Sequence, residues 1–318
     1  MNTGVRVTVF AAALAAVFGA TYGVGNAVGP ISPKAKSHAH GDAHAQGNGH
    51  ASGGHAQHEV ALPGGLQVSQ GGYTLDLKTP HIESGKAREL RFAIVRDATG
   101  RQVTEFEREH GKELHLIVAS HDLTVYRHLH PTRAADGTWS TALQLPTAGA
   151  YRVFADFRPK GGEGLTLGAD LAAPGTYEPA ALPAQNTTAQ ADGYEVKLDG
   201  ALAAGTAGEL KLTVTRNGKP VRDLQPYLGA YGHLVTLRAG DLAYLHVHPS
   251  GEPGDGVTKP GPAVSFVATA PSAGTYRLFL DFKHEGKVHT AAFTVRANGA
   301  EQQPSGAPSS EGEHHHAH

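Results

Sequence analysis

Cysteine is absent from all 318 residues, which removes thiolate metal sites, disulfides and a cysteine-borne lipid together. Methionine occurs only as the initiator, so the thioether ligands favoured by Cu(I) carriers are missing too. Any metal held by this chain must be bound through nitrogen and oxygen. A strong charge of either sign is also lacking, because 27 Lys and Arg against 29 Asp and Glu leave a formal net charge of -2. No basic run forms a phosphate track, and nucleic acid is excluded as a partner. The sequence has no His-Glu-x-x-His helix signature, no nucleophile elbow and no phosphate-cradling glycine loop, so little supports an enzyme.

What is present points elsewhere. Glycine and proline, at 41 and 19 residues, are too frequent for long helices to dominate, and histidine reaches 21. Residues 1–29 carry Arg6 followed by an uncharged, mostly apolar run from Val7 to Gly29. That run reads as a signal peptide or an anchor. Its length of about 20 residues favours a retained anchor that places the remainder outside the cytoplasmic membrane. Residues 30–61 are low in complexity and contain His38, His40, His44, His50, His55 and His58. With almost no apolar side chains to offset chain ordering, this segment is expected to be a disordered tether that captures metal loosely. The tail 299–318 repeats the composition and ends in His314, His315, His316 and His318.

Between the tails the chain writes one domain twice, over 62–175 and 190–298, joined by a linker at 176–189. Leu90, Phe92 and Ile94 alternate with polar neighbours in the first copy, as do Leu210, Leu212 and Val214 in the second. Each copy closes on Y-R-x-F-x-D-F, with Tyr151 to Phe157 in one and Tyr276 to Phe282 in the other. About seven short strands per copy, frequent glycine turns and no amphipathic helix predict an all-β protein. Its expected form is two repeated immunoglobulin-like or cupredoxin-like β-sandwich domains.

The most informative repeat is a histidine pattern. His115 is followed thirteen residues later by His128 and then His130-Pro131; His233 is followed at the same interval by His246 and then His248-Pro249. On a strand, His-x-His puts both imidazoles on one face, and an antiparallel neighbour can supply the third. The bland reading is a solvated histidine pair ended by proline; equal spacing in two copies favours the ligand reading. Two sites are therefore expected: His115, His128 and His130 with Asp156, and His233, His246 and His248 with Asp281. Three imidazoles and one carboxylate suit Cu(II) or Zn(II). Each aspartate has a competing role as ion-pair partner to Arg152 or Arg277. Asp122 and Asp241 read as turn residues, and Tyr126 and Tyr244 as packing aromatics. His121, His284 and His289 belong to one copy each.

The stretch H-L-V-x-L-R-x-G-D-L-A-Y-L-H-V-H-P, His233 to Pro249, resembles uncharacterised two-domain secreted or membrane-anchored proteins of high-GC Gram-positive bacteria. More distantly the chain is similar to extracytoplasmic copper-resistance β-sandwich proteins, although a blue-copper cysteine, a methionine-rich loop and an amino-terminal copper-brace histidine are all missing. The resemblance implies a Cu(II) or Zn(II) binding protein for buffering, delivery or resistance. Its implied partners are divalent metal ions and a membrane metal transporter or another extracytoplasmic protein. The competing expectations are an adhesion or protein-interaction module and a metal-dependent hydrolase.

Overall fold

The computed structural model describes residues 62–245 and 247–299, without the side chain of His248. The anchor, the His-rich tether, the tail from residue 300 and His246 lie outside the described residues.

In the first copy the strands are β1 (Ser69–Gln70), β2 (Tyr73–Leu77), β3 (Ala87–Arg96), β4 (Arg101–Gln102), β5 (Leu114–Ser120), β6 (Tyr126–Leu129), β7 (Thr132–Arg133), β8 (Thr138–Gln144), β9 (Gly149–Phe157) and β10 (Leu165–Ala173). The second copy repeats them in order as β11 (Thr188–Ala191), β12 (Tyr194–Asp199), β13 (Gly208–Arg216), β14 (Lys219–Pro220), β15 (Gly232–Arg238), β16 (Tyr244–Leu245), β17 (His248–Pro249), β18 (Ala263–Ala268), β19 (Gly274–His284) and β20 (Lys287–Ala297). Seven strands in each copy exceed two residues, as the sequence predicts, and the described residues contain no helix.

Each copy is an immunoglobulin-like sandwich of a six-stranded and a four-stranded sheet. The first pairs β1-β2-β3-β8-β7, with β4 on β3, against β10-β9-β5-β6; the second pairs β11-β12-β13-β18-β17, with β14 on β13, against β16-β15-β19-β20. Period-two alternation fills each core. Leu90, Phe92 and Ile94 of β3 meet Leu116 and Val118 of β5 and Tyr151, Val153 and Phe157 of β9. The corresponding residues of β13, β15 and β19 build the second core.

Alternation would ordinarily leave the other face of each four-stranded sheet in water. Here that face is buried as well, because the two four-stranded sheets contribute to a third apolar cluster. Ile117, Ala119, Tyr126 and Phe154 of the first copy pack with Val235, Leu237, Tyr244 and Phe279 of the second. Tyr126 stacks on Phe279 with centroids 4.2 Å apart and planes at 4°. Tyr244 and Phe154 meet at 5.7 Å, tilted by 39°.

Two segments close the sides of this seam. Residues 64–67 run between β10 and β16: Gly65 N donates to Thr166 O (2.7 Å), Gly168 N to Gln67 O (2.8 Å) and Tyr244 N to Gly64 O (2.9 Å). The approach demands glycine, since a Cβ on Gly65 (φ +74°) would lie 2.4 Å from the Phe154 ring, and one on Gly168 would lie 2.0 Å from the Gly65 carbonyl oxygen. On β20, Asn186 N donates to Thr294 O (3.0 Å), and Asn186 Oδ1 accepts from Thr294 N (2.9 Å). The amide of the N-T-T triplet is thus engaged in the fold.

Phe279 is 2% exposed and touches the other sandwich through Tyr126, so Phe279→Ala should cost about 3–5 kcal/mol. Chemical denaturation should give one transition in the wild type, because the seam joins the domains, and a lowered midpoint in the variant. Two well-separated transitions in the wild type would contradict a shared seam.

Candidate metal centre

The seam is apolar at one end and carries imidazoles at the other, and alternation explains why. On β5, Leu114, Leu116 and Val118 face their own core, which turns His115, Ile117 and Ala119 to the seam. On β6, Tyr126 and His128 share the seam face, while Leu129 packs on the core. The β5–β6 register pairs Ile117 with His128 and Leu116 with Leu129, so the next position sets His130 beside His115. Beyond His130 and Pro131 the chain crosses to the six-stranded sheet as β7. The His-x-His-Pro group is therefore a sheet crossover, and it delivers two imidazoles on the way.

His115, His128 and His130 each offer a ring nitrogen, and these atoms all lie within 4.8 Å of one another. Hydrogen bonds hold two of the rings. His115 Nε2 lies 3.2 Å from the Glu109 carbonyl oxygen, which can only accept, so Nε2 carries the proton and Nδ1 a lone pair. His128 Nδ1 lies 2.9 Å from Asp281 Oδ2, so Nδ1 carries a proton and Nε2 is the nitrogen turned toward His115. His115 Nδ1 and His128 Nε2 face each other at 3.1 Å, where they either share one proton as a hydrogen bond or, with that proton gone, offer two lone pairs to a cation. For two ligands of a tetrahedral ion with metal–nitrogen bonds of about 2.0–2.1 Å, the nitrogens would stand about 3.3 Å apart. The third ring adds a further donor: His130 Nε2 is buried and has no hydrogen-bond partner.

Burial favours the neutral form of His115, His130 and His233. Burial, with His128 next, pushes His115 down to about 3. Burial, again with His128, lowers His130 to about 3. His233 falls to about 4, chiefly through burial. A cavity of about 40 Å³ beside the rings is lined by residues of both copies, among them His110, His115, His128, Asp156, His233 and Tyr244.

Of the two sets that the sequence predicts, each with its own aspartate, the structure brings His115, His128 and His130 together. Asp156 and Asp281 stand opposite His115 and His233 in the strand registers. Yet Asp281 reaches across the seam: its Oδ2 accepts from His128 Nδ1 and from Tyr126 Oη (2.9 Å), and its Oδ1 accepts from Thr290 Oγ1 (2.5 Å). Asp156 Oδ1 accepts from Thr166 Oγ1 (2.9 Å). His233 stands beside that set, its ring centroid 6.1 Å from those of His115 and His128. His233 Nε2 donates to the Tyr227 carbonyl oxygen (2.8 Å), repeating the His115–Glu109 arrangement six residues upstream. His246 and the side chain of His248 lie outside the described residues, as do the ten histidines of the tether and tail.

Three contributors escaped the sequence reading. His110, in a left-handed turn (φ 52°), stands 5.4 Å ring to ring from His233; its duplicate position is Leu228, so comparing the copies could not mark it. Tyr227 edges His130 and His233, and burial raises its hydroxyl to about 12. Tyr126 packs as expected but also donates to Asp281. Of the single-copy histidines, His284 bonds Tyr194 and Asp223, His289 bonds Asp192, and His121 lies 3.7 Å from Asp170.

The profile described as "Domain of unknown function (DUF8832)" matches residues 67–173 and again 189–299. That description assigns no metal or activity, so the resemblance to copper-resistance proteins gains no support from it. No curated protein matches the chain. Solved structures that align with it include the Escherichia coli adhesin FdeC, at 17% identity over 76% of this chain and 66% of that one, with a TM-score of 0.22. Another is the Yersinia pseudotuberculosis adhesin InvE, at 13% identity over 73% and 60%, with a TM-score of 0.23. This chain spans less than two thirds of either, and likeness at that level adds nothing about function. On the family match, whose two copies together cover more than half of its length, the chain belongs to the DUF8832 domain family.

Proposed function

We propose that this is an extracytoplasmic protein that binds a divalent transition-metal ion, Cu(II) or Zn(II), in the seam between its two sandwiches. The observation that carries the reading is the convergence of one ring nitrogen each from His115, His128 and His130 within 4.8 Å, with the first two rings held by outer hydrogen bonds. His115, His128 and His130 are the proposed ligands, with His233, His246 and His248 as a second proposed set. The proposed role is buffering, delivery or resistance, with a membrane transporter or another extracytoplasmic protein as recipient. The histidines of the tether and tail serve as loose capture ligands, since flexible groups must be ordered on binding.

A second reading is supported by the architecture taken alone. Tandem immunoglobulin-like sandwiches suit a surface adhesion or protein-interaction module, and such a module needs no metal. The two readings part in a titration of Cu(II) and Zn(II) into the full chain with its ten tether and tail histidines changed to alanine. The metal reading expects one tight site, weakened about 100-fold or more by His128→Ala with His130→Ala. Equivalent changes at His246 and His248 test the second set. Absence of tight binding in the parent chain would leave the protein-interaction account standing.

Acid provides a separate check on the metal-free protein. His115, His130 and His233 have folded-state values near 3, 3 and 4 against about 6.5 when unfolded, so the unfolded chain takes up protons first. Their contribution is complete above about pH 6.5 and is lost progressively as pH falls toward 4 and below. Denaturant midpoints of the apo protein should decline over that interval, and His115→Gln should flatten the decline. A midpoint independent of pH from 7 to 4 would contradict the burial of neutral imidazoles.

A further inference from the structure

Asp281 stands in the second sandwich, yet its contacts reach into the first. We propose that Asp281 is not a metal ligand but the positioning residue for the ligand His128, so that the first sandwich's site is complete only when the second is docked on it. This rests on the metal reading above and adds to it the identity and origin of the group that orients the site.

Three observations carry the assignment. First, both carboxylate oxygens are occupied by protein donors: Oδ1 by Thr290 Oγ1 (2.5 Å), and Oδ2 by Tyr126 Oη and His128 Nδ1 (both 2.9 Å). Second, Asp281 is 2% exposed, so these donors supply the solvation that water would give and hold the side chain in place. Third, the carboxylate meets the imidazole at Nδ1 while Nε2 faces His115 Nδ1, which is the order of groups in a carboxylate–histidine–metal relay. Such an outer carboxylate fixes the ring's tautomer and rotation and raises the basicity of the inner nitrogen. Here the carboxylate and the ring belong to different domains, 153 positions apart in the chain. Tyr126, from the first sandwich, completes the clamp: its ring stacks on Phe279, two residues before Asp281, and its hydroxyl binds the carboxylate. Seam packing and ring orientation are thereby one arrangement.

The test uses the full chain with the tether and tail histidines changed to alanine, titrated with Zn(II) against a competing chelator and with Co(II) as a spectroscopic probe. Asp281→Asn keeps the shape and removes the charge. Zinc affinity should fall about 10–100-fold while the Co(II) spectrum keeps its band positions, because no bound atom has been exchanged. Unchanged affinity overturns the inference, and so does a Co(II) spectrum showing the loss of an oxygen ligand. Should Asp281→Asn fail to fold, the wild type decides the matter through long-range 15N NMR of the zinc-loaded protein. His128 should show a metal-bound Nε2 and a protonated Nδ1; a metal-bound Nδ1 sinks the assignment. Failure of the parent chain to bind zinc would defeat the metal reading itself, whereas binding that ignores Asp281 defeats only this step.

Discussion

A β-sheet with apolar side chains on both faces has to be covered twice, and this requirement organises the whole molecule. β5, β9, β15 and β19 each send one set of residues into their own sandwich and the alternate set into the seam. Burying a large apolar side chain contributes roughly 1.5–3 kcal/mol, and Phe154, Phe279, Ile117 and Leu237 are all essentially hidden there. The four-stranded sheets therefore lie face to face. Once they do, imidazoles at the polar end of those strands are withdrawn from water together, and their hydrogen-bond partners must come from the protein.

Much of the fold was legible because period two is an unambiguous signal. Leu90, Phe92 and Ile94, and the alternate residues of Y-R-x-F-x-D-F, sit where alternation puts them. Alternation cannot say whether the second face meets solvent or another sheet, so the seam itself was not legible. One clue was present. In Y-R-x-F-x-D-F a phenylalanine shares the face of an arginine and an aspartate, and Phe154 and Phe279 are the seam's aromatic contacts. The grouping of His115, His128 and His130 was within reach of spacing, since strand register is local. The His128–Asp281 bond was not, because it depends on how two domains dock.

Arg152 and Arg277 show how the copies have parted while keeping position. Arg152 holds the Gly65 and Leu66 carbonyls and pairs with the exposed Asp170. Arg277 is buried, bonds Thr294 and the Leu123 carbonyl, and has its pKa lowered by that burial. The neighbouring aspartates bond other groups instead, Asp156 with Thr166 and Asp281 with Thr290, Tyr126 and His128. Glu109 and Tyr227 likewise give equivalent carbonyls to His115 and His233 but very different side chains to the surroundings.

The seam draws on matching positions from each copy: Ile117 with Val235, Ala119 with Leu237, Tyr126 with Tyr244, and Phe154 with Phe279. A patch that meets its own duplicate is the isologous contact of a two-fold symmetric dimer, here written into one polypeptide. A lone sandwich of this kind would have to find a second copy by diffusion and bear the loss of translational and rotational freedom on each encounter. Covalent fusion replaces that encounter with a tether and fixes the stoichiometry at one to one. It also lifts the obligation of symmetry, so that His110 can stand in one half where Leu228 stands in the other. A homodimer could never make that distinction.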